Sequence, residues 1–108
     1  MIEAMIALVT CSTRAEATRI AETLVGDRLV ACVNVVSGVD SCYWWDGKLN
    51  WDPECLLVVK TTEEAIDRVH QRVIDIHSYD LPEFVAFKID EGSEPYLKWI
   101  GESVKLGP

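Results

Sequence analysis

Apolar and polar side chains alternate along most of residues 29–61, the longest strand-like stretch of the chain. At Asp46-Gly47 the pattern is interrupted by a pair typical of a two-residue type I′ turn, which needs φ > 0 at both central positions. After this turn, the apolar run at 55–59 is typical of a buried strand, and Pro53 is expected to break its ladder at an edge or a bulge. Before the turn, the alternation predicts that one face of the strand carries Leu29, Ala31, Val33, Val35, Val39, Tyr43 and Trp45. The stretch therefore predicts one long β-hairpin.

This hairpin is too long for the domain that carries it. At about 3.3 Å per residue, residues 29–45 would extend roughly 55 Å, whereas a domain of this length is about 35 Å across. The hairpin must therefore bend sharply or project, and a projecting apolar tip needs something to cover it. We expect a homo-oligomer, and specifically a homotrimer, because threefold symmetry closes the ring. The side chains that create this need are Tyr43, Trp44, Trp45, Leu49 and Trp51.

The remaining segments predict a second pair of strands and three helices. Residues 2–10 predict the first strand, and a capping box at Thr13–Glu16 opens a helix that ends at Gly26. A second capping box at Thr61–Glu64 is expected to open a helix that runs to Ile76. Residues 83–89 predict the fourth strand, and a last helix is expected to begin at Ser93.

The order of elements defines the predicted fold. Strand, helix, two strands, helix and strand make the α+β ferredoxin-like βαββαβ unit, here with an extra C-terminal helix, in one domain of residues 1–108. Right-handed crossovers give an antiparallel sheet with both main helices on one face. The opposite face then needs a cover, and partner subunits are the simplest candidates.

Composition narrows the function classes. The net charge of −8 argues against binding to nucleic acid or to anionic membrane surfaces. The apolar segment at 4–9 is too short for membrane insertion, and Glu3 stands where a signal peptide needs basic residues. The four cysteines lack metal-finger spacing and are expected to be reduced thiols. We therefore predict a cytoplasmic protein.

The predicted topology brings three chemically useful side chains to one edge of the sheet. The end of the first strand lies beside the start of the fourth, so Cys11, His77 and Glu83 are expected at the same edge. Thiolate, imidazole and carboxylate together suit copper or zinc better than magnesium or calcium. Cys11 also precedes a helix N-terminus, which favours the thiolate. Each residue has a simpler alternative: a structural cysteine, a helix-capping histidine and a solvated glutamate.

The same three residues also allow an enzymatic interpretation. A cysteine, a histidine and a glutamate can act as nucleophile, base and orienting group. No glycine-rich oxyanion loop accompanies them, so we predict that the protein is not an enzyme. A thiol enzyme would require Cys11 to be alkylated much faster than the other cysteines.

Several segments resemble one known family, the CutA divalent-cation tolerance proteins. The most specific are residues 29–34 (LVACVN), 43–48 (YWWDGK), 59–62 (VKTT) and 77–83 (HSYDLPE), within a match that runs from Val9-Thr10-Cys11 to residues 96–100. The resemblance implies a ferredoxin-like trimer built by strand pairing between subunits, similar in shape to the PII signalling proteins. It also implies a role in tolerance to divalent metals, copper especially.

The copper site that the resemblance implies corresponds to Cys11, His77 and Glu83 of this chain. The family's His-Pro-Tyr is His-Ser-Tyr here, and Ile76 stands where some members have a further histidine. The leading hypothesis is a trimeric, cytoplasmic, non-enzymatic protein of copper tolerance that binds divalent copper, or zinc, through these three residues. The alternative is a trimeric PII-like signalling or scaffold module that binds a small ligand or a partner protein.

Overall fold

The computed structural model describes residues 3–107 and contains four strands and three helices. The order confirms the predicted strand–helix–strand–strand–helix–strand unit with an added helix. The first strand was expected to begin at Ile2, which lies outside the described residues. The elements are β1 (Ala4–Cys11), α1 (Arg14–Gly26), β2 (Cys32–Trp45), β3 (Lys48–Thr62), α2 (Ile66–Ile76), β4 (Val85–Lys88) and α3 (Glu94–Ser103).

The four strands form one antiparallel sheet in the order β2-β3-β1-β4. This is the ferredoxin-like α+β arrangement expected from the order of elements. At the β1–β4 contact, Leu8 lies opposite Val85, so the end of β1 is next to the start of β4 as predicted. At the β1–β3 contact, the last pair is Cys11 opposite Cys55.

The core lies between the sheet and helices α1 and α2. Alternate residues of β1 and β3 point into it, because successive side chains of a strand point to opposite faces. The core includes Ala7, Val9, Cys11, Ile20, Leu24, Cys55, Leu57, Val59, Val69 and Val73.

The opposite face of the sheet is only partly covered. Helix α3 packs against β1 and β3, and Tyr96 of α3 meets Cys32, whose cross-strand partner is Lys60 on the face away from the core. Farther along this face, Val36, Val85 and Phe87 remain 44%, 54% and 47% exposed. A large apolar area is therefore available on this side of the chain.

The β2–β3 hairpin projects beyond the rest of the sheet. Its turn has φ of 54° at Asp46 and 71° at Gly47, as a type I′ turn requires. Because β1 ends opposite Cys55, residues 48–54 of β3 pair with β2 alone. The molecule is consequently 45 Å long but only 29 by 22 Å in its other dimensions.

A β-bulge at Gly38, where φ is 78°, divides the hairpin. Val35 pairs with the buried Leu57 on the core side, whereas Val39 pairs with Glu54 on the opposite side. The extra residue reverses the alternation, because a one-residue slip moves side chains to the other face. The prediction of a single apolar face was therefore wrong beyond the bulge for Val39, Tyr43 and Trp45.

Two local predictions were also wrong. Pro53 lies at an edge as expected, since β3 has a neighbour on one side only there, but the ladder continues through it with Asp40 as its partner. Helix α2 begins without a side-chain cap, after Ala65. The expected cap cannot form because Thr61 is still in β3 and its hydroxyl donates to the Leu29 carbonyl at 2.7 Å.

Candidate functional site

The three predicted site residues lie around the end of β1, but they do not share a coordination sphere. Cys11 ends β1, His77 follows the last residue of α2, and Glu83 lies two residues before β4. The His77 ring reaches the Thr10 carbonyl, next to Cys11, while Glu83 is exposed. Within residues 3–107, no group of three His, Cys, Asp or Glu side chains is arranged to hold a metal ion.

Hydrogen bonds occupy both ring nitrogens of His77. Nδ1 accepts the Tyr79 backbone N–H at 3.0 Å, and Nε2 lies 2.8 Å from the Thr10 carbonyl oxygen. A carbonyl can only accept, so Nε2 carries the proton and Nδ1 does not. The imidazole is fully buried and is tilted against the Tyr79 ring, with the centroids 4.7 Å apart. In this arrangement His77 joins the end of β1 to the turn after α2.

Cys11 is a buried thiol rather than an activated thiolate. Its Sγ donates to the Thr13 carbonyl at 3.5 Å. Burial, reinforced by the nearby Glu16 and Cys55, raises the pKa of Cys11 to about 11. The expectation that the start of α1 would favour the thiolate was therefore wrong, because desolvation outweighs the helix terminus.

A buried carboxylate that sequence reasoning misassigned holds this region together. Thr13 caps α1 as expected, its hydroxyl accepting the Glu16 N–H at 3.1 Å. The Glu16 carboxylate does not complete the capping box but accepts from the backbone N–H and the hydroxyl of Ser78, at 2.8 and 2.9 Å. Burial alone would raise the pKa of Glu16, but the Ser78 hydrogen bonds, with His77 and Arg19 nearby, lower it.

The serine at position 78 explains how this chain tolerates its departure from His-Pro-Tyr. A proline has neither a backbone N–H nor a hydroxyl, so it could make neither of the two hydrogen bonds that Ser78 donates to Glu16. The carboxylate thereby fixes the turn that follows α2. The capping-box spacing was the only sequence signal for Glu16, and it indicated a local partner instead of this distant one.

A cleft of about 630 Å³ opens between the hairpin and the turn before β4. The Tyr79 hydroxyl donates to Glu54 at 2.9 Å inside this cleft. Desolvation, together with the charge of Glu54, raises the pKa of Glu83. The volume suits a small ligand. The cleft is lined by Thr10, Ser41, Cys42, Tyr43, Trp45, Glu54, Tyr79, Asp80, Leu81, Pro82 and Glu83.

Comparison with known proteins decides the family. A family sequence model described as CutA1 divalent ion tolerance protein matches residues 5–103. The chain belongs to the CutA1 family. The divalent-cation tolerance protein CutA of Thermus thermophilus is 44% identical over 98 residues, covering 91% of this chain and 95% of that protein. The chloroplastic protein CutA 1 of Oryza sativa is 36% identical over 104 residues, covering 96% of this chain.

CutA1 structures also share the fold. The crystal structure of CutA1 from Oryza sativa superposes with a TM-score of 0.95 at 36% identity, covering 98% of this chain and 97% of that one. The chain spans 59% of the length of the curated rice relative. Within residues 3–107, no helix is both long and apolar enough to cross a membrane.

Proposed function

We propose that this CutA1 chain serves tolerance to divalent cations by binding a copper-like ion at the edge that carries Cys11, His77 and Glu83. It does so as a cytoplasmic homotrimer. The observation that carries the proposal is the cleft that Glu83 and Glu54 both line, where desolvation and then the charge of Glu54 raise the pKa of Glu83. A bound cation would relieve this repulsion. The family description and the name of the Thermus thermophilus relative, which is 44% identical, support the same role.

The three donors differ in how well they fit a cation. The Glu83 carboxylate is exposed and available in this conformation. His77 must give up its bond to Thr10 or Tyr79 before a ring nitrogen can bind an ion. Cys11 must lose a proton that burial retains, since a thiol binds metal as the thiolate. We therefore propose Glu83 as the donor already accessible, and the other two as donors that require a local rearrangement.

Calorimetric titration with Cu²⁺ and Zn²⁺ tests this assignment. Zn²⁺ has no redox chemistry, so it separates binding from oxidation of the cysteines by Cu²⁺. We expect Glu83→Gln to weaken both metals about tenfold or more, with a further loss in Cys11→Ala and His77→Ala. Glu22→Gln, an exposed charge on the outside of α1, is the matched control. Wild-type affinity in all three site variants would overturn the assignment.

The homotrimer rests on surfaces that one chain leaves uncovered. Residues 48–54 of β3 present an unpaired edge, and Trp44 and Trp51 at the hairpin tip are 75% and 65% exposed. Strand pairing with a neighbour would satisfy the edge and bury the tip. Sedimentation equilibrium at micromolar concentration should give three times the monomer mass of 12.1 kDa. A stable monomer would exclude the assembly.

The cleft favours a second candidate function, a PII-like module that binds a small ligand. The cleft volume of about 630 Å³ lies within the range of small-molecule sites. Tyr79 and Glu54, which are hydrogen-bonded to each other, supply polar groups to its lining. A screen of small metabolites by thermal shift, carried out with a metal chelator present, tests it. A hit that disappears in Tyr79→Phe would favour this function over cation binding.

A further inference from the structure

Two buried cysteines face each other across the β1–β3 ladder. Cys11 and Cys55 are direct partners in the register, and both are free thiols in the structure. Directly opposite residues of an antiparallel pair have Cα atoms about 4.5–5.5 Å apart. Disulfides span Cα separations of roughly 4.4–6.8 Å. The backbone therefore already has the spacing that a cross-strand disulfide needs.

The side chains are placed on the same face as well. Cys11 is 0% exposed and Cys55 is 6% exposed, and both belong to the core on the helix side of the sheet. The other two cysteines are not in register with either of them. Cys32 pairs with Lys60 on the opposite face, and Cys42 lies exposed in the projecting hairpin opposite Trp51. The chain thus contains one cysteine pair that is aligned for bonding.

We propose that Cys11 and Cys55 form a redox-active dithiol that a low-molecular-weight disulfide converts into a reversible cross-strand disulfide. Cys55, the more accessible of the two, attacks one sulfur of the small disulfide as a thiolate, and the first small thiol leaves and takes up a proton. Cys11 then attacks the Cys55 sulfur of the mixed disulfide as a thiolate, and the second small thiol leaves and takes up the proton that Cys11 gave up. The protein loses two protons and two electrons, and the small disulfide gains them as it becomes two thiols.

The consequence of this bond depends on where it lies. The disulfide would join the end of β1 to β3 at the base of the hairpin. Cys55 is the last residue of β3 that pairs with β1, and residues 48–54 beyond it pair with β2 alone. The disulfide would also remove the Cys11 sulfur as a metal donor, a consequence that rests on the proposed function. Oxidation would then leave Glu83 in the cleft without its soft sulfur partner.

Thiol mapping tests the dithiol independently of metal. The Cys32→Ser/Cys42→Ser variant retains only the aligned pair and is incubated with oxidised glutathione, quenched in acid and alkylated after denaturation. We expect an intact mass two hydrogens lower, no alkylation, and a peptide linking residues 11 and 55. The melting temperature should rise by roughly 10 °C, since the bond closes a long loop, and should return with dithiothreitol.

The contrary results are equally specific. Two alkylated thiols after prolonged incubation with excess oxidant, a glutathione adduct without the internal link, or a link between chains would each overturn the dithiol. Cys55→Val in the same Cys32→Ser/Cys42→Ser background is the control and should abolish both the mass loss and the rise in melting temperature. If this variant does not fold, Cys55→Ala takes its place. Persistence of the thermal shift in this control would also count against the proposal.

A Zn²⁺ titration of the reduced and oxidised forms separates this inference from the proposed function. Weaker Zn²⁺ binding after oxidation supports a link between the disulfide and the proposed metal site. If Zn²⁺ binding is instead unaffected by Cys11→Ala in the reduced protein, the proposed ligand set fails while the mapped disulfide stands. If the mapping fails but Cys11→Ala weakens Zn²⁺ binding, the ligand set stands and the dithiol fails.

Discussion

At the scale of single residues, buried polar groups around the end of β1 serve structure before chemistry. His77 uses both ring nitrogens, and Glu16 accepts two hydrogen bonds from Ser78 and lies 3.8 Å from the His77 ring. Buried polar groups are costly unless they are paired. The network thus fixes the turn after α2, and any cation that uses His77 must compete with it.

The Glu16 carboxylate should make stability fall in acid. Its folded pKa is lowered, so the stabilisation is present above the unfolded value near 4.5 and is lost as the pH falls through the lower folded value. We expect Glu16→Gln to reduce the free energy of unfolding by about 1–3 kcal/mol at pH 7 and to flatten its acid dependence. Urea denaturation between pH 2 and 7 measures both effects.

The control for this prediction is Glu22→Gln on the exposed side of the same helix. That variant should retain the wild-type acid profile, since its side chain has no buried partner to lose. An unchanged profile in Glu16→Gln would show that the carboxylate does not couple folding to pH.

Thiol reactivity distinguishes a structural cysteine from a catalytic one. Cys11 is buried with a pKa raised to about 11, whereas Cys42 is exposed. Because the thiolate is the reactive form, we expect iodoacetamide to modify Cys42 about tenfold or more faster than Cys11 at pH 8. Timed quenching followed by peptide mass spectrometry measures both rates. If Cys11 reacted first, the thiol-enzyme hypothesis would have to be reopened.

At the scale of elements, the β2–β3 hairpin determines what each side of the sheet presents. The type I′ turn at Asp46-Gly47 fixes the register in which Trp45 pairs with Lys48. The bulge at Gly38 reverses which side chains face the core. The reversal puts Val39 and Tyr43 on the face away from α1 and α2. The hairpin consequently carries its aromatic residues toward the cleft and toward the surfaces that a neighbour would cover.

The bulge should depend on glycine at position 38. Its φ of 78° lies in the left-handed region, where a side chain costs about 1–2 kcal/mol, although no atom lies within 4 Å of an added Cβ. We expect Gly38→Ala to lower the free energy of unfolding by that amount. Gly26→Ala, at the end of α1 with normal φ and equally open space, should be neutral or stabilising. Equal effects of the two substitutions would contradict this account.

At the scale of the whole molecule, one chain leaves much apolar surface uncovered. The tip carries Trp44, Trp45 and Trp51, and the sheet face carries Val85 and Phe87, all between 47% and 75% exposed. Exposed large apolar side chains in such number are typical of an interaction surface. The proposed trimer would bury these side chains, most of which lie on the part of the hairpin that makes the molecule 45 Å long.

Truncating the hairpin tip should weaken the proposed trimer. We expect Trp44→Ala to cost about 2 kcal/mol or more per interface, because buried aromatic anchors dominate association. Sedimentation equilibrium and the concentration dependence of the melting temperature measure the change. Ile74→Ala, on the outer side of α2 and 46% exposed, is the control and should leave the assembly intact. If the two variants behave alike, the tip is not an interface.

Local sequence patterns were sufficient for the elements and for their order. The period-2 alternation and the Asp46-Gly47 pair determined the hairpin, and Thr13 and Gly26 bounded α1 correctly. These features depend on backbone preferences within a few residues. The ferredoxin-like topology followed from their order, because few chain paths are compatible with right-handed crossovers.

Only the tertiary structure decided which faces and partners these elements have. The bulge at Gly38 reverses the hairpin faces, Glu16 binds Ser78 instead of its own helix end, and Cys11 lies opposite Cys55. Each of these depends on strand register or on contacts between distant segments. Register is set by the packing of the whole sheet, and a shift of one residue exchanges buried for exposed side chains. For this reason the sequence determined which groups reach the β1–β4 edge, and the fold decided which of them are free to act there.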